Sequence, residues 1–259
     1  MKKKDSGNCP VRSAHFAPSQ VIQFKNRFTA VFAGSLAALA AYKAVNYLRD
    51  FYPFPPLPRS GKRKIACIGD SITFGAGVRD RKNDSYPTYL EKELGENFQV
   101  LNYGLSGRTL LSSGDRPYSR ECFYKRSFTD HPDLYLVMLG TNDSKPYNWD
   151  ERGFERELFT FLTRYIDVVG KDRVFVLKCP KAVPKEGTDL VVYDILEENI
   201  EKILPIIERT AARLGIQVID LFQLTDGHPE WFADGVHPNE EGNRQIASFI
   251  APFIQAVNW

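Results

Sequence analysis

The sequence predicts an α/β protein: a five-stranded parallel sheet with helices on both faces, a three-layer α/β/α sandwich, preceded by an N-terminal apolar helix. Three observations predict it. Short, β-branched, near-continuous apolar runs recur five times after residue 63, as expected of strands buried on both faces. Longer amphipathic stretches separate them, which is the alternation of a parallel sheet. A proline-rich stretch divides this part of the chain from a basic and apolar N-terminal segment.

Residues 1–27 form a basic tail carrying Lys2, Lys3, Lys4, Arg12, Lys25 and Arg27. From Phe28 the string FTAVFAGSLAALAAY is uncharged to Tyr42, and with Lys43 snorkelling the apolar character reaches Leu48. A span needs about 20 such residues. Residues 28–48 therefore read as a membrane anchor whose cationic flank stays in the cytoplasm and whose following domain lies outside. Two other readings stay open: a signal cleaved at Ala38–Ala40, and a surface or transit helix with no span. Residues 49–62, with FYPFPPLPRSGK, hold too many prolines for helix or central strand and form a stiff linker.

The domain proper is 63–259. Its strands are expected at Lys64–Ile68, Phe98–Tyr103, Leu134–Leu139, Val174–Cys179 and Ile216–Leu221. Helices are expected around Tyr86–Leu94, Glu151–Val169, Val191–Leu214 and Glu240–Val257, and PKAVPKEGTD after the fourth strand reads as a rim loop. In such a sheet the ligand crevice opens at the carboxyl ends of the strands.

Charge divides unevenly along the chain. Residues 1–64 hold 12 Lys and Arg against 2 acids, and 65–259 hold 22 against 30, so a segment of about +10 precedes a domain of about −8. A net-acidic domain lacks the basic footprint that phosphate binding needs, which argues against nucleic acid as its partner. The four cysteines, Cys9, Cys67, Cys122 (in a loop) and Cys179, have no metal-site spacing and read as reduced thiols. Composition leaves the oligomeric state open.

Four polar clusters fall where the fold puts the crevice: GDSITFG after the first strand, NYGLSGRT after the second, LGTNDSKPYNW after the third, and FADGVHPNEEG before the last helix. Ser71 stands at a helix start and is read as both things at once, a hydroxyl that caps the helix and a nucleophile assisted by the positive helix end. A serine nucleophile needs a base, and the base an orienting group. Of four histidines, His15 is in the tail, His131 precedes the third strand, and His228 reads as a loop histidine beside Pro229. His237 has Asp234 three residues earlier across Gly235, a spacing that brings a carboxylate alongside the ring. A tetrahedral oxyanion needs fixed donors, and the Asn142 amide, the Gly107 N–H and the Ser71 N–H are the candidates. Asp70 and Asp143 read as structural carboxylates that accept from loop N–H groups.

GDSITFG, NYGLSG, GTND and DGVHPN, in order from Lys64 to the final helix, resemble the four blocks of the SGNH hydrolases, the GDSL-type esterases and lipases. The resemblance implies a flavodoxin-like sandwich with Ser71 as nucleophile, His237 as base, Asp234 as orienter, and Ser71, Gly107 and Asn142 as the oxyanion hole. It implies no metal and no organic cofactor. LGTNDSKPYNW and GDRPY further resemble the bacterial carbohydrate or sialate O-acetylesterase and lysophospholipase-like branch. Tyr118, Tyr147 and Trp149 are the expected contacts to a sugar ring or short acyl group. The expected partner is thus a small-molecule or glycan ester, with the membrane met through the N-terminal helix. A lysophospholipase or thioesterase is the alternative, and a glycan-binding protein with a dead site a remote third.

Overall fold

The computed structural model describes residues 56–185, 187–188 and 191–259, with Ala38, Leu39 and Ala41. The chain divides into two units, Met1–Arg49 and Asp50–Trp259. The tail expected over 1–27 and the apolar helix over 28–48 lie outside the described residues, except for those three, which are helical and exposed. Among the described residues no helix is long and apolar enough to cross a membrane.

In the second unit five strands form one sheet: β1 Arg63–Gly69, β2 Phe98–Gly104, β3 Leu134–Met138, β4 Val174–Lys178 and β5 Gln217–Asp220. Their order is β2-β1-β3-β4-β5 and every neighbouring pair is parallel. The chain leaves β1 toward β2 on one side and later returns to place β3 on the other. That reversal makes the β1/β3 boundary the switch point, outside which ligands bind in such sheets.

Strand side chains alternate between two cores. Ala66, Ile68, Tyr103, Tyr135, Val137 and Val176 face helices α4 (Cys122–Thr129), α5 (Glu151–Val169) and α6 (Glu197–Leu214). Ile65, Cys67, Leu134, Leu136, Phe175 and Ile219 face α3 (Tyr86–Leu94), α7 (Leu221–Thr225) and α8 (Glu240–Gln255). Short helices α1 (Ser71–Phe74) and α2 (Arg81–Asp84) follow β1. The period of two, with both faces buried, explains why the strands read as unbroken apolar runs.

Two expectations need correction. The helix foreseen from Val191 begins only at Glu197, because Tyr193 and Asp194 take φ of 63° and 59°, which a right-handed helix excludes. Cys122, expected in a loop, opens α4. The described end of the proline-rich stretch is tied to β2: Arg59 N–H donates to Gln99 Oε1 at 2.6 Å and Gln99 Nε2 donates to the Leu57 carbonyl at 2.9 Å.

Candidate active site

The turn after β1 places Ser71. Asp70, not Ser71, caps α1: its Oδ1 accepts from the Ile72 N–H at 2.9 Å. The serine hydroxyl is thereby left free of the cap, and as first residue of the helix Ser71 has an N–H with no intrahelical acceptor. Gly77, in the loop beyond α1, lies hard against the base loop. A Cβ there would stand 2.2 Å from the Pro238 carbonyl oxygen and 2.8 Å from that of His237, so only glycine permits the approach.

The loop before α8 places the imidazole. Asp234 Oδ1 accepts from the N–H groups of Val236 and His237 at 3.0 and 2.8 Å, closing an Asx turn across Gly235. The turn aims the second carboxylate oxygen at the ring: His237 Nδ1 meets Asp234 Oδ2 at 2.7 Å. On the other side His237 Nε2 meets Ser71 Oγ at 2.8 Å, joining residues 166 positions apart. Both are nearly buried, Ser71 at 8% and His237 at 9% exposure. Val183 N–H donates to the Gly235 carbonyl and Ala233 N–H to that of His237, which pins the loop at its centre and its end. Burial acts to raise the Asp234 carboxyl, but the bonds from the His237 ring and backbone and from Val236 overcome it and leave the carboxyl below its ordinary range.

The three oxyanion candidates follow three neighbouring strands, β1, β2 and β3. Asn142, after β3, is 6% exposed. Its Nδ2 donates over long distances to Asp70 Oδ2 (3.3 Å) and the Arg108 carbonyl (3.2 Å), so the amide stands beside the Ser71 turn. Asn148 donates to the Asn142 carbonyl and to Asp115 Oδ1, both at 2.9 Å, and braces the β3 loop against the loop that follows β2. Gly107, in that β2 loop, has φ +79° with Arg116 alongside. Beneath them lie Asp70 and Asp143, wholly buried. Asp143 accepts from the Leu110 and Leu111 N–H groups at 2.9 and 2.8 Å, fixing the β2 loop as its sequence suggested. Burial pushes the Asp70 carboxyl up to about 6 and that of Asp143 up to about 7, against the hydrogen bonds that hold them.

The aromatic candidates separate. Tyr118 is a correction: it is wholly buried, its hydroxyl donates to the Tyr103 carbonyl at 2.7 Å and its ring packs edge-on to Tyr124 and Phe161, which makes it part of the core. Trp149 is partly buried against the α5 core, 5.9 Å from Phe154 between ring centroids. Tyr147 is 61% exposed. One residue escaped the sequence reading. Tyr193, 55% exposed, donates from its hydroxyl to Asp234 Oδ2 at 2.8 Å, and its ring lies edge-on to His237 at 5.3 Å. Its string VVYD carries no motif and sits where a helix was expected, so no sequence signal would have found it. His228 is engaged elsewhere, with Glu230 at 2.9 Å and stacked on Trp231. Among the described residues no group of three or more His, Cys, Asp or Glu is arranged to hold a metal ion.

A parallel α/β sheet that presents a hydroxyl, an imidazole and a carboxylate in one hydrogen-bonded line is equipped for nucleophilic hydrolysis by a serine. Residues 67–245 match the model of the GDSL-like lipase/acylhydrolase family, and the chain belongs to that family. An acetylxylan esterase from Xylanibacter ruminicola is 34% identical over 215 residues, 77% of this chain and 45% of that one, so the chain spans just under half of that relative's length. An arylesterase from Vibrio mimicus is 28% identical over 199 residues, covering 73% of this chain and 86% of that one. The carbohydrate acetylesterase Est24 from Sinorhizobium meliloti superposes with a TM-score of 0.63 over 76% of this chain and 100% of that one; at 19% identity the likeness is one of fold.

Proposed function

We propose that the chain is a serine esterase that removes short acyl groups, acetyl foremost, from carbohydrates. The observation that carries this reading is the continuous line from Ser71 Oγ to His237 Nε2 at 2.8 Å and from His237 Nδ1 to Asp234 at 2.7 Å. The resemblance to an acetylxylan esterase supports the acetyl-sugar choice.

In this reading Ser71 Oγ attacks the ester carbonyl carbon as His237 Nε2 takes the hydroxyl proton, and the Nδ1–H bond to Asp234 stabilises the imidazolium that results. The oxyanion receives the N–H groups of Ser71 and Gly107 and the Asn142 amide, which exchanges its long bond to the Arg108 carbonyl for the stronger charged acceptor. Collapse breaks the C–O bond to the alcohol, which departs with the proton from His237. Water then repeats the sequence on the acyl-serine: His237 accepts its proton, the acid leaves and Ser71 recovers its hydrogen.

The test is an ester panel of varied acyl length and alcohol, run on wild type and Ser71→Ala with a fluorophosphonate probe. Wild type is expected to be labelled, to prefer acetyl esters and to slow as the acyl chain lengthens. Equal labelling of Ser71→Ala would sink the nucleophile assignment; a steep rise toward long acyl chains would replace the carbohydrate reading by a lipid one. The arylesterase relative favours a second reading, an esterase selecting its phenolic leaving group. Aryl acetates outpacing acetylated xylosides after correction for leaving-group reactivity would support it.

The apolar stretch 28–48 and its cationic flank support a tether that holds the domain outside the membrane. Alkaline carbonate extraction checks this: a tethered chain stays with the membrane pellet.

A further inference from the structure

We propose that Tyr193 is a positioning residue for this reaction, its phenol anchoring the Asp234 carboxylate and its ring covering the edge of the His237 imidazole. The inference rests on the Ser71–His237–Asp234 reading above and adds a member to it.

Three observations converge. Asp234 Oδ2 receives two donors at once, His237 Nδ1 at 2.7 Å and Tyr193 Oη at 2.8 Å, so the oxygen that orients the base is itself held from the loop between β4 and α6. The ring of Tyr193 meets that of His237 at 5.3 Å and 61°, the edge-to-face geometry of an aromatic contact. The backbone is in an uncommon state, with Tyr193 at φ 63°, ψ 27° and Asp194 at φ 59°. Consecutive non-glycine residues in the left-handed region persist only where their surroundings hold them. The tyrosine is 55% exposed, and its bond to Asp234 and contact with His237 tie it to the site while buried Ile195 anchors the segment behind it.

The sign of the effect follows from charge. A phenol O–H donated to a carboxylate draws off part of its negative charge, and without it Asp234 stabilises a positive imidazolium more strongly. Asp70, from the end of β1, interacts with the imidazole, and Lys145, from the β3 loop, acts in turn on Asp70; both are left in place by a change at Tyr193.

The experiment uses the full chain as wild type, Tyr193→Phe and Tyr193→Ala, with p-nitrophenyl acetate and an acetylated xyloside, following kcat and KM against pH and the thermal midpoint. Tyr193→Phe, which keeps the ring and loses the hydroxyl, is expected to lower kcat/KM about fivefold on both esters and to move the acid limb of the profile to higher pH. Its thermal midpoint should stay within about 2 °C, as for a surface change. Tyr193→Ala should lose more, through kcat. An unmoved acid limb, or a loss confined to KM for the xyloside, would overturn the inference and make Tyr193 a substrate contact. Ser71→Ala separates the two claims: if it is inactive while Tyr193→Phe is unchanged, only the positioning role fails; if it is active, the serine reading fails as well.

Discussion

The two sides of the site are held in different ways. On the nucleophile side the turn is interlocked with the core: Ser71 follows a strand buried from Ile65 to Gly69, the capping Asp70 is at 0% exposure, and Asp143 braces the neighbouring loop with both oxygens. On the base side His237 stands on a three-residue Asx turn, joined to the body by loop-to-loop bonds from Val183 and Tyr193 and by the buried side chain of Val236. Packing of regular elements thus sets where the hydroxyl stands, while a few hydrogen bonds set where the imidazole stands. A change to the buried carboxylates Asp70 or Asp143 of the first side should cost fold and activity together. A change on the second should alter kinetics while the fold persists.

The largest expected effect removes either pole. Ser71→Ala or His237→Ala should lower kcat by about 1,000-fold or more, since members of such a line act as one unit, and the double variant should be no worse than either single one. Additive losses in turnover measurements would show two separate devices in place of one line.

Asn142→Ala comes next, with about 100- to 1,000-fold lost from kcat while KM and the circular dichroism spectrum hold. Because the amide bonds to Asp70 Oδ2 and the Arg108 carbonyl only at 3.3 and 3.2 Å, its loss should cost little stability. A collapsed fold would move Asn142 from the chemistry to the scaffold.

Gly77→Ala tests the seam between the two sides. Its Cβ would enter the Pro238 carbonyl at 2.2 Å, so the base loop must shift away from the serine turn. A displacement near 1 Å is expected to lower kcat about 100-fold. Normal turnover would show that the seam yields without moving the imidazole.

The smallest effect is on stability against pH. Asp70 and Asp143 have carboxyls raised to about 6 and about 7, so between the usual carboxylate range and pH 7 the folded chain binds more protons than the unfolded one. Their contribution is therefore present at low pH and lost as pH rises through those values. The thermal midpoint should decline between pH 5 and about 7.5, and Asp143→Asn should flatten that decline. An equal slope in both would remove Asp143 from the account.

Much of the fold was legible because apolar periodicity reports burial directly. The helix Glu151–Val169 matches its sequence reading, and Lys64–Ile68 lies within β1 at Arg63–Gly69. Ser71, His237 and Asp234 were legible because each stands in a short string whose spacing carries local geometry, as Asp-Gly-Val-His does for an Asx turn. Tyr118 misled because an aromatic residue in a polar loop looks the same whether it faces solvent or turns under the sheet, and here its hydroxyl finds the Tyr103 carbonyl. Val191–Leu196 misled because apolar residues next to a strong helix extend its pattern, while two positive φ angles leave no mark in the string.

By itself the sequence determined the layer order, the strand ends at which polar residues gather and the candidate groups for the chemistry, since all of these follow from patterns a few residues long. Only the tertiary structure decided that His237 reaches Ser71, that Gly77 must be bare against Pro238, and that Tyr193 reaches Asp234. These are contacts between segments distant along the chain, and their ångström-scale fit depends on how the whole sheet packs.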